Sequence, residues 1–159
     1  MDELLKILKH NALETPENIA GMLDISVEDA KAKIADYEKI GIIRGYQAII
    51  DEDKLGLGRV TAVIEVKVTP EREGGFNRIG DRIGKFPEVT SMYLMSGAFD
   101  FLLFVESHNL KEVAMFVSEK LSTISGVTST STHFMLKTYK HHGLMMTSED
   151  EYERLKISP

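Results

Sequence analysis

Residues 94–105 read LMSGAFDFLLFV, an apolar run broken by one carboxylate, Asp100, three positions after Gly97. Downstream, DFLLFVE is apolar at both parities, with Phe101, Leu103 and Val105 on one and Leu102 and Phe104 on the other. Upstream, VTSMYLM (89–95) is a second run of strand-forming residues. The connection Ser96-Gly97-Ala98-Phe99 has hairpin length and a glycine, so the stretch reads as two antiparallel strands joined by a tight turn. Asp100 then lies at the rim of a sheet, where a lone buried carboxylate is costly and needs a partner. It either caps the turn by accepting from backbone amides or pairs with a cation such as a ligand ammonium.

Working outward, RVTAVIEVKVT (59–69) alternates and is rich in β-branched residues, so it reads as a strand. GGFNRIGDRIGKF (74–86) places Phe76, Ile79 and Ile83 on one helical face and ends at Pro87. After the hairpin, residues 109–124 read as an amphipathic helix carrying Leu110, Val113, Met115, Phe116, Val117 and Leu121, stopped at Gly126. VTSTSTHFMLKTY (127–139) reads as the last strand. The order β-α-β-β-α-β over residues 59–145 is ferredoxin-like, a four-stranded antiparallel sheet with both helices on one face.

Two helices on one face should leave strands that alternate apolar and polar. These do not alternate cleanly, because Val63, Leu102 and Phe104 are apolar on the parity facing away from the helices. The uncovered face is therefore expected to meet the same face of a second copy.

Residues 1–50 read differently. Leu4, Leu5, Ile7 and Leu8 form a helical stripe. Thr15-Pro16-Glu17 supplies an N-cap hydroxyl, a proline at the first helical position and an early acid for a short second helix. Ser26-Val-Glu-Asp29 resembles a capping box that opens a third helix, with Val27, Ala30, Ile34 and Tyr37 on one face and Gly41 after it. IIRGYQAII (42–50) then reads as a short strand or ribbon, which gives a helix-turn-helix with a wing. The charged, glycine-containing stretch 51–58 reads as a linker, and 146–159 as a polar tail. The fold class is α+β, a winged helix-turn-helix followed by a ferredoxin-like domain.

Composition narrows the function. The 159 residues contain no cysteine, which excludes disulfides and thiol chemistry. No run approaches a membrane span, and the N-terminus does not read as a signal peptide, so a cytoplasmic setting is expected. Gly-rich phosphate loops, HExxH and G-x-S-x-G are absent, and the five histidines form no ligand cluster, so neither cofactor nor metal is expected.

A helix-turn-helix, a ribbon and β-α-β-β-α-β with a Gly-x-Phe-Asp hairpin together resemble the Lrp/AsnC (feast/famine) transcriptional regulators. The resemblance rests on IIRGYQAIID, LMSGAFDFLL and TSTSTHFMLKTYK, in that order. It covers nearly the whole chain. It implies a regulator of double-stranded DNA, dimers joined through their sheets and assembled into rings such as octamers, and an amino acid or related metabolite bound between dimers. Carried onto this sequence, it points to an effector site at Tyr93, Ser96, Gly97, Ala98, Asp100, Thr130 and Thr132. The DNA-binding residues would be Ser26, Val27, Lys31, Lys33 and Arg44.

The charge pattern keeps an alternative open. Residues 1–54 hold 12 acidic and 7 basic side chains, and Ala35 and Asp36 stand where the family commonly has arginines. Phosphate contacts need cations, so a metabolite-binding oligomer whose helix-turn-helix no longer grips DNA is the second reading. A third is an enzyme like the siroheme decarboxylases, which share this two-domain architecture.

Overall fold

The computed structural model describes residues 1–70 and 75–146. Most of the expected tail, from residue 147 onward, lies outside the described residues. The chain divides into two compact units, Met1–Ile50 and Asp51–Pro159.

The first unit holds helices α1 (Glu3–His10), α2 (Pro16–Leu23) and α3 (Val27–Lys39). Each begins at a side-chain cap, and those of α2 and α3 are the expected ones. Asp2 accepts from the Leu4 amide, Thr15 from Asn18 and Ser26 from Asp29. The Ser26 hydroxyl also donates to the Asp29 carboxylate at 2.7 Å, so the short acid closes the capping box through the side chain. Asp24, in the left-handed region at φ 52°, makes the turn between α2 and α3. At the far end of α3, the amide of Ile42 donates to the Tyr37 carbonyl and that of Gly41 to Glu38, a Schellman arrangement made possible by Gly41 at φ 74°. Leu4, Leu8, Ile19, Ala20 and Ala30 form the core, with Val27, Ile34 and Tyr37 packed against it.

Residues 42–50 form no strand. An extended segment becomes a strand only when its backbone finds a ladder partner, and among the described residues none pairs with it. The expected wing is absent from the single chain.

The second unit begins with a four-residue helix, α4 (Glu52–Leu55), inside the stretch expected to be a linker. Its main body is β1 (Val60–Val68), α5 (Gly75–Ile83), β2 (Val89–Leu94), β3 (Phe101–Ser107), α6 (Leu110–Met115) and β4 (Val127–Phe134). The sheet order is β2-β3-β1-β4, all neighbours antiparallel. Ala62, Ile64, Val66 and Val68 on β1 and Phe101, Leu103 and Val105 on β3 face the helices, burying Ile79, Ile83, Val113, Phe116 and Leu121. Each such aliphatic side chain removed from water contributes roughly 1.5–3 kcal/mol.

Three details depart from the periodicity. α6 continues as a π-helical turn over Phe116–Leu121, closed by bonds such as Ser122 amide to Val117 carbonyl. That wider turn lets Phe116 and Leu121 both enter the core, while Leu110 and Met115 are exposed. The last long strand stops at Phe134, and Lys140–His141 pairs instead with Leu144–Met145 as β5 and β6. His142 and Gly143, both at positive φ, form the two-residue turn between them.

Candidate DNA-binding and effector sites

In α3 the core residues fix which side is free. With an advance of about 100° per residue, Ala30, Ile34 and Tyr37 point inward, and Glu28, Ala32, Ala35, Asp36 and Lys39 point away. Lys31 and Lys33 fall on the two flanks, and each already has a partner. The Lys31 ammonium lies 3.2 Å from Glu17 of α2, and Lys33 lies 3.9 Å from Asp2, the cap of α1. The Glu17 carboxyl is held below its ordinary range by its own backbone amide and by Lys31. The Leu4 amide, more than Lys33, does the same for Asp2. Tyr37 is shifted the other way, raised by desolvation and then by Asp2 beside it.

Of the expected DNA-binding residues, Ser26 caps α3 and is exposed. Val27, the first residue of α3, is partly buried against the helical core. The Arg44 guanidinium folds back over Gly41, where a Cβ would stand 3.1 Å from its central carbon. The sequence does not announce Asp2 and Glu17 as partners of the lysines, since both come from other helices.

At the hairpin, every backbone group of Asp100 is engaged. Its amide donates to the Val66 carbonyl at 3.0 Å, and its carbonyl accepts from Met95 at 2.8 Å. The carboxylate Oδ2 accepts from the Val68 amide at 2.8 Å. Asp100 therefore extends the β1–β3 ladder past its last backbone pair, with a side chain standing in for a carbonyl. The sequence offered a turn cap or a ligand partner; the observed partner is a neighbouring strand. Oδ1 accepts no hydrogen bond from the described residues.

Ser96, Gly97 and Ala98 are exposed beside it, with Gly97 at φ 142°. Register separates the remaining expected effector residues. Thr130 lies opposite Val66 and Thr132 opposite Ile64, hence on the helix-covered side. Tyr93 lies opposite Leu102, hence on the other side. Within one chain, Tyr93 and the two threonines do not line a common pocket.

The sheet face away from the helices carries Val63, Leu102 and Phe104, all half-buried, with the Tyr93 ring edge-on to Phe104 at 6.2 Å. On the same face His133 Nε2 lies 3.4 Å from Glu65, a cross-strand pair not foreseen. Leu94, opposite Phe101, lies instead on the helix-covered side, at 58% exposure.

A cleft of about 260 Å³ lies elsewhere, between the far end of β3 and α6. Glu88 and Lys120 form an ion pair there, which holds the Glu88 carboxyl below its ordinary range, and Glu88 Oε2 is buried with no hydrogen-bond partner among the described residues. The cleft falls short of the roughly 300–1,000 Å³ of ligand pockets. Among the described residues, no group of three metal-ligating side chains occurs, and no helix is long and apolar enough to cross a membrane.

The Lrp/AsnC ligand binding domain matches residues 61–145, more than half the chain. The chain belongs to the Lrp/AsnC family. It is 45% identical to the uncharacterized HTH-type transcriptional regulator YugG of Bacillus subtilis, across 99% of this chain and 95% of that protein. It is 32% identical to the proline dehydrogenase transcriptional activator of Rhodobacter capsulatus, across 84% and 86%. A Neisseria meningitidis transcriptional regulator solved as an L-Met complex is 25% identical, with a TM-score of 0.68 over 87% of this chain and 88% of that one. AsnC of E. coli shares the fold, at a TM-score of 0.67. These Lrp/AsnC relatives are transcriptional regulators, and the chain is a regulator of this class rather than an enzyme.

Proposed function

We propose that this Lrp/AsnC chain binds operator DNA through α3 and that an amino acid held at the 96–100 hairpin between subunits shifts its assembly or DNA affinity. The observation that carries the effector half is Asp100. One carboxylate oxygen is fixed by the Val68 amide, the other accepts no bond from the described residues, and the exposed Gly97 and Ala98 lie in the same hairpin turn. Oδ1 accepts the ligand ammonium, and the amides of Gly97 and Ala98 face its carboxylate. The L-Met bound by the Neisseria regulator makes amino acids the class to try first. Dimers form through Val63, Leu102 and Phe104, and dimers close into a ring such as an octamer. Tyr93, Thr130 and Thr132 then line the site only where they come from different subunits.

For DNA, the exposed Ser26 end of α3 and the two flanking lysines meet phosphates, with Arg44 a third cation. Exposed ion pairs are worth roughly 0–1 kcal/mol, so Glu17 and Asp2 hold the lysines weakly enough for phosphate to displace them. Several weak readers in one oligomer add through effective concentration. The same pairs favour the second reading, a metabolite-binding oligomer with poor DNA affinity.

The test is binding to the DNA upstream of the chain's own coding sequence, titrated from about 50 to 200 mM salt, with and without a panel of amino acids. Site-specific binding that an amino acid shifts supports the regulator. Absence of binding, with an amino acid still raising the melting temperature, supports the second reading.

A further inference from the structure

The side of α3 turned away from the core presents Glu28, Ala32, Ala35 and Asp36 over its first two and a half turns, with Lys39 beyond them. All are exposed. Resting on the reading of the chain as a DNA-binding regulator, we infer that α3 reads thymine methyls and cytosine amino groups, and does not read guanine. Guanine shows the major groove only acceptors, N7 and O6, which require a donor such as Arg or Lys. Glu28 and Asp36 are acceptors, and Ala32 and Ala35 are neither donors nor acceptors. A carboxylate finds its complement in cytosine N4–H₂, whose major-groove edge carries no acceptor beside it, unlike adenine. The alanine methyls, three residues apart on one helical side, match the C5-methyl of thymine.

The flanks fit the same placement. A helix seated in the major groove turns its two sides toward the two backbones, where Lys31 and Lys33 stand. The groove-facing strip is left to contacts that carry base identity and little affinity. Asp36 lies in the last turn of α3 (Val27–Lys39), where a negative charge opposes the helix dipole. It does nothing for the helix itself.

The full chain is used to select preferred duplexes from a randomised pool, and affinities are then measured on the selected site. We expect T·A or C·G pairs facing α3, and 7-deazaguanine placed opposite a contacted cytosine should leave affinity unchanged, since no donor on α3 uses the guanine N7. Deoxyuridine in place of a contacted thymine should lower affinity about fourfold, the equivalent of one buried methyl at ~0.8 kcal/mol. Asp36→Asn, on an exposed helical position, should move the preferred base at one position from cytosine to adenine, whose N6 and N7 suit an amide. Loss of affinity on 7-deazaguanine substitution in those pairs, which removes the N7 acceptor a donor would use, would overturn the inference while leaving the regulator standing. So would full affinity for deoxyuridine duplexes. No binding to any duplex at about 50 mM salt would overturn both.

Discussion

Asp100 has two separable roles, and two substitutions pull them apart. Asp100→Ala removes the acceptor of the Val68 amide, a donor on a strand whose side chain is only 7% exposed. An unsatisfied buried donor costs roughly 1–3 kcal/mol. Asp100 is itself only half-buried and water can reach the gap, so the low end, about 1 kcal/mol, applies. For a domain near 100 residues this corresponds to roughly 4–8 °C in melting temperature. Asp100→Asn keeps an oxygen facing Val68 but loses the charge. Charge-assisted bonds are roughly twice as strong as neutral ones, so it should lose about half as much. If Oδ1 is the ammonium acceptor, Asp100→Asn should nonetheless abolish the melting shift that an amino acid produces. Scanning calorimetry with and without amino acids, together with hydrogen exchange at the Val68 amide, reads all three quantities. Unchanged Val68 protection and melting in Asp100→Ala would refute the ladder role. An undiminished amino-acid shift in Asp100→Asn would refute the effector role.

Gly126→Ala should destabilise the second unit by about 2 kcal/mol or more: φ is 94°, and a Cβ would stand 2.7 Å from Ile79 Cδ1 and 3.2 Å from the Thr69 carbonyl oxygen. Gly45→Ala, with nothing near its Cβ, is the control; equal denaturant midpoints for the two would contradict the strain argument. Phe104→Glu should leave the far-ultraviolet spectrum intact but break association, and elution as the parent oligomer would remove the sheet face from the interface. Glu17→Gln frees Lys31 and should tighten DNA binding about two- to fivefold, with a salt slope steeper by up to about 0.9; a weaker complex would mean that Glu17 orients the lysine rather than competing for it.

The sequence discloses whatever a local rule governs. Thr15-Pro16 and Ser26-x-x-Asp29 start the helices they announce, and alternation in 60–68 separates Ala62, Ile64 and Val66 from Val63. What it withholds depends on distant partners. Residues 42–50 have the composition of a strand but pair with no backbone among the described residues. The partner of the Asp100 carboxylate is 32 residues away, beyond the reach of turn chemistry. The face taken by Thr130 and Thr132 follows from the β1–β4 register, which includes an irregularity at Lys67/Val68. Leu110 and Met115 lie exposed on α6, and no pattern in 109–124 marks the π-helical turn that follows them.

β1 lies between β3 and β4, and both follow it in the chain. While the polypeptide is being made, a central, apolar strand of the sheet therefore emerges first and waits with both edges open. Its first ladder closes only after β3 is complete, and its second only after β4. Pairings so distant in sequence form slowly, and an unpaired apolar edge invites other chains. A chain cut short before residue 127 keeps one such edge permanently, so truncated products are expected to aggregate rather than persist as partial regulators.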